Sequence, residues 1–424
     1  MFFTMVFSSR GDSGIVDEIA HIPAGYSYLV YGDFRLNPEH PPLIKDLAAF
    51  PLIFLRLNFP HIYWLSNAGG ENVNNQWEVG WKFIYHSENN YDQMFFWSRL
   101  PIIILSVLLG LLVFKWANEL FGSKAAVLAV FLYSFCPNMI AHSRFVTTDL
   151  GIAFFYVFSV YFFGRYLKDQ SRKNLVISGV ALGLAQAAKF SAVLLIPTFI
   201  ILAFIKFYLV GTKFSLGDFK GWFDQVFSDF WRKTLKISWH FLLMLFVSGL
   251  VVLAIYYFHT KNMPISVQET LIDQSLLPGD PRTIAIRDFL KGMAHISRPA
   301  AQYLLGLFMV IGHVGGGHTA FLLGDFSPKG WWYYFPIAFL VKTPILTLIL
   351  ILLVTYLLLR KKIQFKFEHW LLIIPVIFYF YISIRGSLNI GYRHLLPILP
   401  FVFIYTSQVA NWIVVGPIKD WWKK

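Results

Sequence analysis

Apolar residues in this chain gather in long runs broken by short polar or basic segments, and several runs approach the roughly 20 residues that a helix needs to cross a bilayer. The pattern predicts nine spans, over residues 99–117, 124–140, 150–166, 175–188, 191–209, 238–258, 332–359, 370–384 and 393–414, of which 175–188 and 370–384 are short. Polar stretches divide the chain into a first loop with candidate chemistry (1–97), a set of spanning helices (98–258), a second loop (259–331) and C-terminal spans (332–424). The expected fold is an all-α polytopic bundle whose large first loop carries amphipathic interfacial helices. In 43–57, after the Pro41-Pro42 break, Ile44, Leu47, Ala48 and Phe54 form an apolar face suited to the interface plane.

Charge orients this bundle. Segments 165–174 (Arg165, Lys168, Arg172, Lys173 against Asp169) and 360–369 (Arg360, Lys361, Lys362, Lys366 against Glu368) each carry a net +3, which places them in the cytoplasm. By alternation the loop 206–236 and the tail with Lys419, Lys423 and Lys424 share that side. Residues 10–97, the turn 141–149, the junction near Lys189, the loop 259–331 and the turn 385–392 then face the other compartment. The ten acidic and five basic side chains of 10–97 suit an outside loop. The expected location is the cell membrane, with these segments extracytoplasmic. Met1–Phe7 is apolar but too short to span and lacks the basic start of a signal peptide, so the reading expects a further helix ahead of it.

Composition agrees and narrows the partners. The chain is 57% hydrophobic, 19% aromatic and 14% charged, with a mean hydropathy of +0.57, which describes a membrane protein in contact with lipid. A pI near 9.5 and a net charge of +13 raise nucleic acid as a partner, but no basic stripe with interleaved aromatics supports it. Cys136 is the only cysteine, which excludes an intramolecular disulfide and a cysteine metal cluster.

The ionisable residues on the predicted outer face are the candidate chemistry, and each has a plainer reading beside it. Asp17-Glu18 open an amphipathic stretch in which His21, Ala24-Gly25 and Tyr28 recur at helical spacing. They are either acids favoured by a helix N-terminus or a general base, one of two neighbouring carboxylates pushed toward a useful pKa. Glu39-His40-Pro41-Pro42 either caps the next helix or presents a carboxylate and an imidazole to a phosphate or divalent metal. Asp149, after Thr147-Thr148 and near His142 and Arg144, is an N-terminal acid or a site residue. Lys189 interrupts an apolar run, as a snorkelling or a functional cation. Gly312-His313-Val314-Gly315-Gly316-Gly317-His318 offers backbone amides to an anion and two imidazoles, without the ending of a nucleotide-binding loop. Arg393 opens the last span, where its fork suits a lipid-linked phosphate or an interfacial anchor.

Taken in order, Asp17-Glu18 with His21, Asn37 to Pro42, Thr148-Asp149, Lys189-Phe190-Ser191, Gly330-Trp331-Trp332-Tyr333-Tyr334-Phe335-Pro336 and Tyr392-Arg393-His394-Leu395-Leu396-Pro397 resemble the protein O-mannosyltransferase type of membrane glycosyltransferase, glycosyltransferase family 39 of the GT-C superfold. The resemblance implies a polyprenyl-phosphate-linked, mannose-like sugar as donor, inversion at the anomeric carbon, and a hydroxyl acceptor on a protein, lipid or glycan outside the cytoplasm. It implies Asp17 as general base with Glu18 as its partner, Asp149 as a second acid, and Lys189, Arg393 and His40 at the donor phosphate. A divalent metal on Glu39 with His313 or His318 is the cofactor expectation; His40 stands where related lipid A aminoarabinose transferases have lysine. Family members normally begin with a spanning helix ahead of the Asp-Glu loop and continue past the last motif, so the chain reads as a fragment. The alternative from another class is a transporter or flippase of an anionic lipid-linked substrate; no internal repeat supports it.

Overall fold

The computed structural model describes residues 1–65, 72–209, 219–277, 279 and 281–415. Among these, six helices are long and apolar enough to cross a membrane: Tyr91–Phe121, Thr148–Lys168, Phe190–Leu209, Thr234–Thr260, Phe367–Arg385 and Tyr392–Trp412. The protein is a multi-pass membrane protein. Two of the predicted spans differ. The apolar run 332–359 is broken into Tyr334–Lys342 and Ile345–Leu359, which meet at 106°. Pro344 lacks an N–H and forces Thr343 into extended backbone, so the first helix cannot continue. The run 124–140 yields only the 12-residue helix Ser123–Ser134 before Pro137 opens a short helix of its own.

The run 175–188 forms Arg172–Ala188, a 17-residue helix with small residues on one face. A Cβ on Gly179 would lie 2.9 Å from the Met244 carbonyl oxygen, and one on Gly183 2.8 Å from that of Ser248. Small residues four apart thus let the backbone of the Thr234–Thr260 helix come close, a packing device suited to lipid, where apolar area alone does not drive association. The outer side of that second helix exposes Leu242, Phe246, Leu250, Leu253 and Tyr257, a stripe at helical spacing that faces lipid. Residues 210–218 of the basic loop 206–236, and the basic tail, lie outside the described residues.

The first loop is a set of helices packed onto one end of these spans: Val16–Tyr31, Leu43–Ala49, the 3₁₀ turn Phe50–Phe54, His61–Leu65 and Gln76–Tyr85. Gly25 makes the first contact possible, since a Cβ there would sit 2.2 Å from the Lys45 carbonyl oxygen. The predicted interfacial face of 43–57 is divided. Ile44 and Ala48 are buried, and the Ile44 side chain fills the space that a Cβ on Gly151 would need. Phe50, Ile53 and Phe54 are the exposed part.

The second loop folds as helices Ile265–Ser275, Pro281–Ile296 and Arg298–Gly316, followed by a hairpin pairing Ala320–Leu322 with Asp325–Ser327. The glycines expected to present amides to an anion do something else. Gly312, Gly315 and Gly316 continue the helix Arg298–Gly316, and Gly317, at φ +77°, caps its C-terminal end with its N–H on the His313 carbonyl. Such an end presents carbonyls, which repel an anion.

Candidate active site

Seven of the nine candidate residues, Asp17, Glu39, His40, Asp149, Lys189, His313 and Arg393, line one cavity of about 650 Å³. Glu18 and His318 do not line it. Four different elements supply its ionic centre. Asp17 lies in the first turn of Val16–Tyr31 and Asp149 in the first turn of Thr148–Lys168. Lys189 sits in extended backbone between Arg172–Ala188 and the 3₁₀ turn Phe190–Leu194, and Arg393 in the 3₁₀ turn Tyr392–Ile398. Arg393 Nη1 donates to Asp17 Oδ2, while its Nε lies 3.8 Å from Asp149 Oδ2. Lys189 Nζ donates to Asp149 Oδ1 at 2.6 Å. Asp149 is therefore a buried carboxylate between two cations, and Asp17 a partly exposed one held by the guanidinium alone. The rest of the wall is largely apolar, with Leu194, Leu307, Val310, Ile311, Ile382 and Ile390 among its residues, beside His21, Thr148, Ser191 and His394.

Glu18 is turned to another task. Arg99 Nε and Nη2 donate to its two oxygens at 2.8 and 2.7 Å, and both side chains are fully buried. The same oxygens accept from the backbone N–H groups of Val146 at 3.0 Å and Ile15 at 3.1 Å. Glu18 thus locks the helix carrying Asp17 to a spanning helix and to the segment before Asp149. With its charge matched by Arg99, it is not a second acid pressing on Asp17 as expected.

The Asn37 to Pro42 turn closes the cavity beside this centre, and an unforeseen residue holds it. Lys45 Nζ, completely buried, lies within hydrogen-bonding distance of the Asn37 carbonyl (2.9 Å), Asn37 Oδ1 (2.9 Å), the His40 carbonyl (2.7 Å) and the Tyr28 hydroxyl (2.8 Å). Asn37 itself has φ +50°, a left-handed conformation that asparagine tolerates better than most residues. Burial pushes the Lys45 ammonium down to about 7, against the pull of Glu39 and Asp46. His40 stacks edge-on against His21, ring centres 5.2 Å apart, and His21 Nδ1 donates to the Val146 carbonyl at 3.0 Å. Burial, then the neighbouring His21, Lys189 and Lys45, hold His40 well below its ordinary pKa. Its imidazole is therefore favoured in the neutral form, a hydrogen-bonding group and not a cation.

Replacing Lys45 with methionine keeps the volume and leaves three turn acceptors without their ammonium donor. The expected result is a stability loss of about 1–3 kcal/mol. Thermal melting checks it; an unchanged melting temperature would show that the turn holds without the ammonium.

Glu39 Oε1 accepts from Asn37 Nδ2 at 3.1 Å and Gln76 Nε2 at 2.6 Å, while its buried Oε2 has no hydrogen-bond partner. That oxygen is the best single donor for a cation in the cavity. Among the described residues, however, no group of three or more His, Cys, Asp or Glu side chains is arranged to hold a metal ion. His318 bonds the Thr319 carbonyl near the hairpin. Of the two expected imidazole partners of Glu39, His313 shares its cavity and His318 does not.

The aromatic motif 330–336 and the last motif meet behind this wall. Asn389 Oδ1 accepts from the Trp331 N–H at 2.6 Å, and a Cβ on Gly330 (φ +66°) would lie 2.1 Å from that oxygen. Tyr392 and Thr343 share a hydroxyl hydrogen bond of 2.8 Å. Arg393 is therefore delivered by a turn anchored on both sides.

Comparison with solved structures bears on this arrangement. The chain superposes over its full length on ArnT from Cupriavidus metallidurans bound to undecaprenyl phosphate, with a TM-score of 0.57, 13% identity and 60% of that chain covered. Over 97% of its length it also superposes on the archaeal oligosaccharyltransferase AglB from Archaeoglobus fulgidus, in complex with an inhibitory peptide and a dolichol-phosphate. There the TM-score is 0.52, with 15% identity and 49% of that chain covered. The fold is that of the GT-C membrane glycosyltransferases. The present chain spans about 60% of the ArnT length and about half that of AglB. The family model for dolichyl-phosphate-mannose-protein mannosyltransferases matches residues 92–220, a segment that includes Asp149 and Lys189. No curated protein sequence matches the chain.

Proposed function

We propose that this GT-C protein transfers a hexose, mannose-like, from a polyprenyl-phosphate carrier to a hydroxyl acceptor on the extracytoplasmic side. The observation that carries the reading is the ionic centre Asp17, Arg393, Asp149 and Lys189 in the wall of an otherwise largely apolar cavity. A lipid-linked phosphate needs cations at its oxygens and apolar surface for its chain, and both are present in one cavity.

The chemistry follows from the charges. As the glycosidic bond to phosphate breaks, negative charge grows on the leaving phosphate while the sugar gains oxocarbenium character. Arg393 and Lys189 take up that charge, and Asp149 holds both cations at the required level. Asp17 accepts the proton of the incoming hydroxyl, so a single displacement with inversion needs no covalent nucleophile. Arg393 couples the two halves of the reaction. Before the donor binds, its guanidinium occupies the Asp17 carboxylate; a donor phosphate competes for that guanidinium and frees the carboxylate for the acceptor.

The test is transfer from a radiolabelled polyprenyl-phosphate sugar by membranes carrying this chain. Arg393→Ala and Lys189→Ala are each expected to lower kcat/KM for the donor by about 10²-fold or more. Binding of the lipid phosphate without any transfer, under every acceptor class tried, would replace the enzyme by a carrier of lipid-linked anions.

A further inference from the structure

A second, larger cavity, of about 840 Å³, lies at the other end of the same helices. The 21-residue helix that begins with Thr148-Asp149 at the first cavity ends with Arg165 and Lys168 at the second. At 1.5 Å per residue this separates the two by about 30 Å, one hydrocarbon thickness. Five basic side chains, Arg165, Lys168, Lys206, Lys362 and Lys366, line this cavity against two acidic ones, Glu119 and Glu368.

These groups are not mutually neutralised. Tyr161 donates its hydroxyl to Glu119 at 2.9 Å and accepts from Arg165 at 3.2 Å, which ties Glu119 and Arg165 together through a phenol. Lys206 lies over the Phe367 ring, 4.7 Å from its centre, and is thereby aimed along the wall. Among the described residues no carboxylate is paired with Lys168, Lys362 or Lys366. A concave site at headgroup depth, rich in unmatched ammonium groups and walled by Trp116, Phe121 and Trp412, suits a phosphate that carries apolar chains.

We propose that this cavity binds the phosphate of an anionic lipid of the leaflet opposite the first cavity. The binding group is phosphate, and the aromatic wall assigns its source to a lipid and not to a soluble anion. Scattered basic loops at a membrane surface would attract anionic lipid without a defined site, so the test must separate the cavity from its surroundings.

The full chain in mild detergent is titrated with phosphatidylglycerol, with phosphatidylcholine and with inorganic phosphate, followed by native mass spectrometry and thermal melting. Lys362→Gln/Lys366→Gln removes two lining charges. Arg172→Gln/Lys173→Gln removes two charges from a nearby basic segment that does not line the cavity. The expected result is one tightly held phosphatidylglycerol per chain, weakened roughly tenfold or more in the first variant and unchanged in the second. Equal binding by both variants and the unmodified chain, or equal weakening in both variants, overturns the site. Stabilisation by inorganic phosphate as strong as by phosphatidylglycerol overturns the lipid source and makes the ligand a soluble phosphate. Should the first variant fail to fold, Lys362→Gln alone gives the same comparison.

Discussion

Asp17→Asn is expected to slow sugar transfer by about 10²–10⁴-fold, the range in which a positioned general base contributes. The substitution is nearly isosteric and removes the negative charge, and with it the ability to take a proton. Its effect on folding should stay within about 1 kcal/mol, because the pair it makes with Arg393 is partly exposed. Donor binding should hold or tighten, since the guanidinium released from Asp17 remains available to the phosphate. The measurement is single-turnover transfer beside donor binding, with melting as the control. Rate loss with intact melting and donor affinity is the signature of a base. A parallel loss of donor affinity would instead make Asp17 a positioning group for Arg393 and move the base elsewhere. The same experiment on Glu18 should read out differently, because its carboxylate does not reach the cavity.

How much of this was legible depends on which physical signal each residue leaves. Long apolar runs announced the spanning helices, and alternation of spans with basic loops predicted one face for Asp17, Asp149, Lys189 and Arg393, which meet in one cavity although Asp17 and Arg393 are 376 residues apart. Run length cannot register a proline break such as Thr343-Pro344. Lys45 was hidden for a different reason. In sequence it is one basic residue on an amphipathic helix, and only the folded turn brings the Asn37 and His40 carbonyls to it. The one available hint was that its neighbours Ile44 and Ala48 are apolar, which makes an exposed lysine between them uncomfortable. Arg99 reads as an interfacial cation at the edge of a span, and its partner lies 81 residues away. The glycine-rich stretch 312–317 misled because glycine marks both anion-binding loops and helix ends, and here it marks the end.

Arg99→Ala is expected to be the most destabilising single change in the first-loop region, costing about 3–5 kcal/mol, because it strands the Glu18 charge in a fully buried site. The loss does not stop at one ion pair. Arg99 Nη1 also donates to the Ser9 and Asp12 carbonyls at 3.0 and 3.1 Å, and Nη2 to the Ser13 carbonyl at 3.0 Å. Removing the guanidinium therefore takes the donor from three backbone acceptors, of which the Ser9 carbonyl is the buried one. Glu18→Gln should destabilise by a smaller amount. An amide keeps one acceptor but turns its N–H₂ toward the Arg99 and backbone N–H donors that the carboxylate received. Because buried ion pairs are often neutral when both partners are replaced together, a Glu18→Gln/Arg99→Met double variant tests what the pair is for. If the pair served charge compensation alone, the double variant would recover most of the stability lost in Arg99→Ala. The three carbonyls and the Val146 and Ile15 N–H groups argue that it will not, since each was satisfied by one of these two side chains. Melting of the four proteins in one detergent decides the matter. Full recovery in the double variant would reduce the Arg99 network to a simple ion pair, and with it the claim that Glu18 places the helix from which Asp17 reaches the cavity.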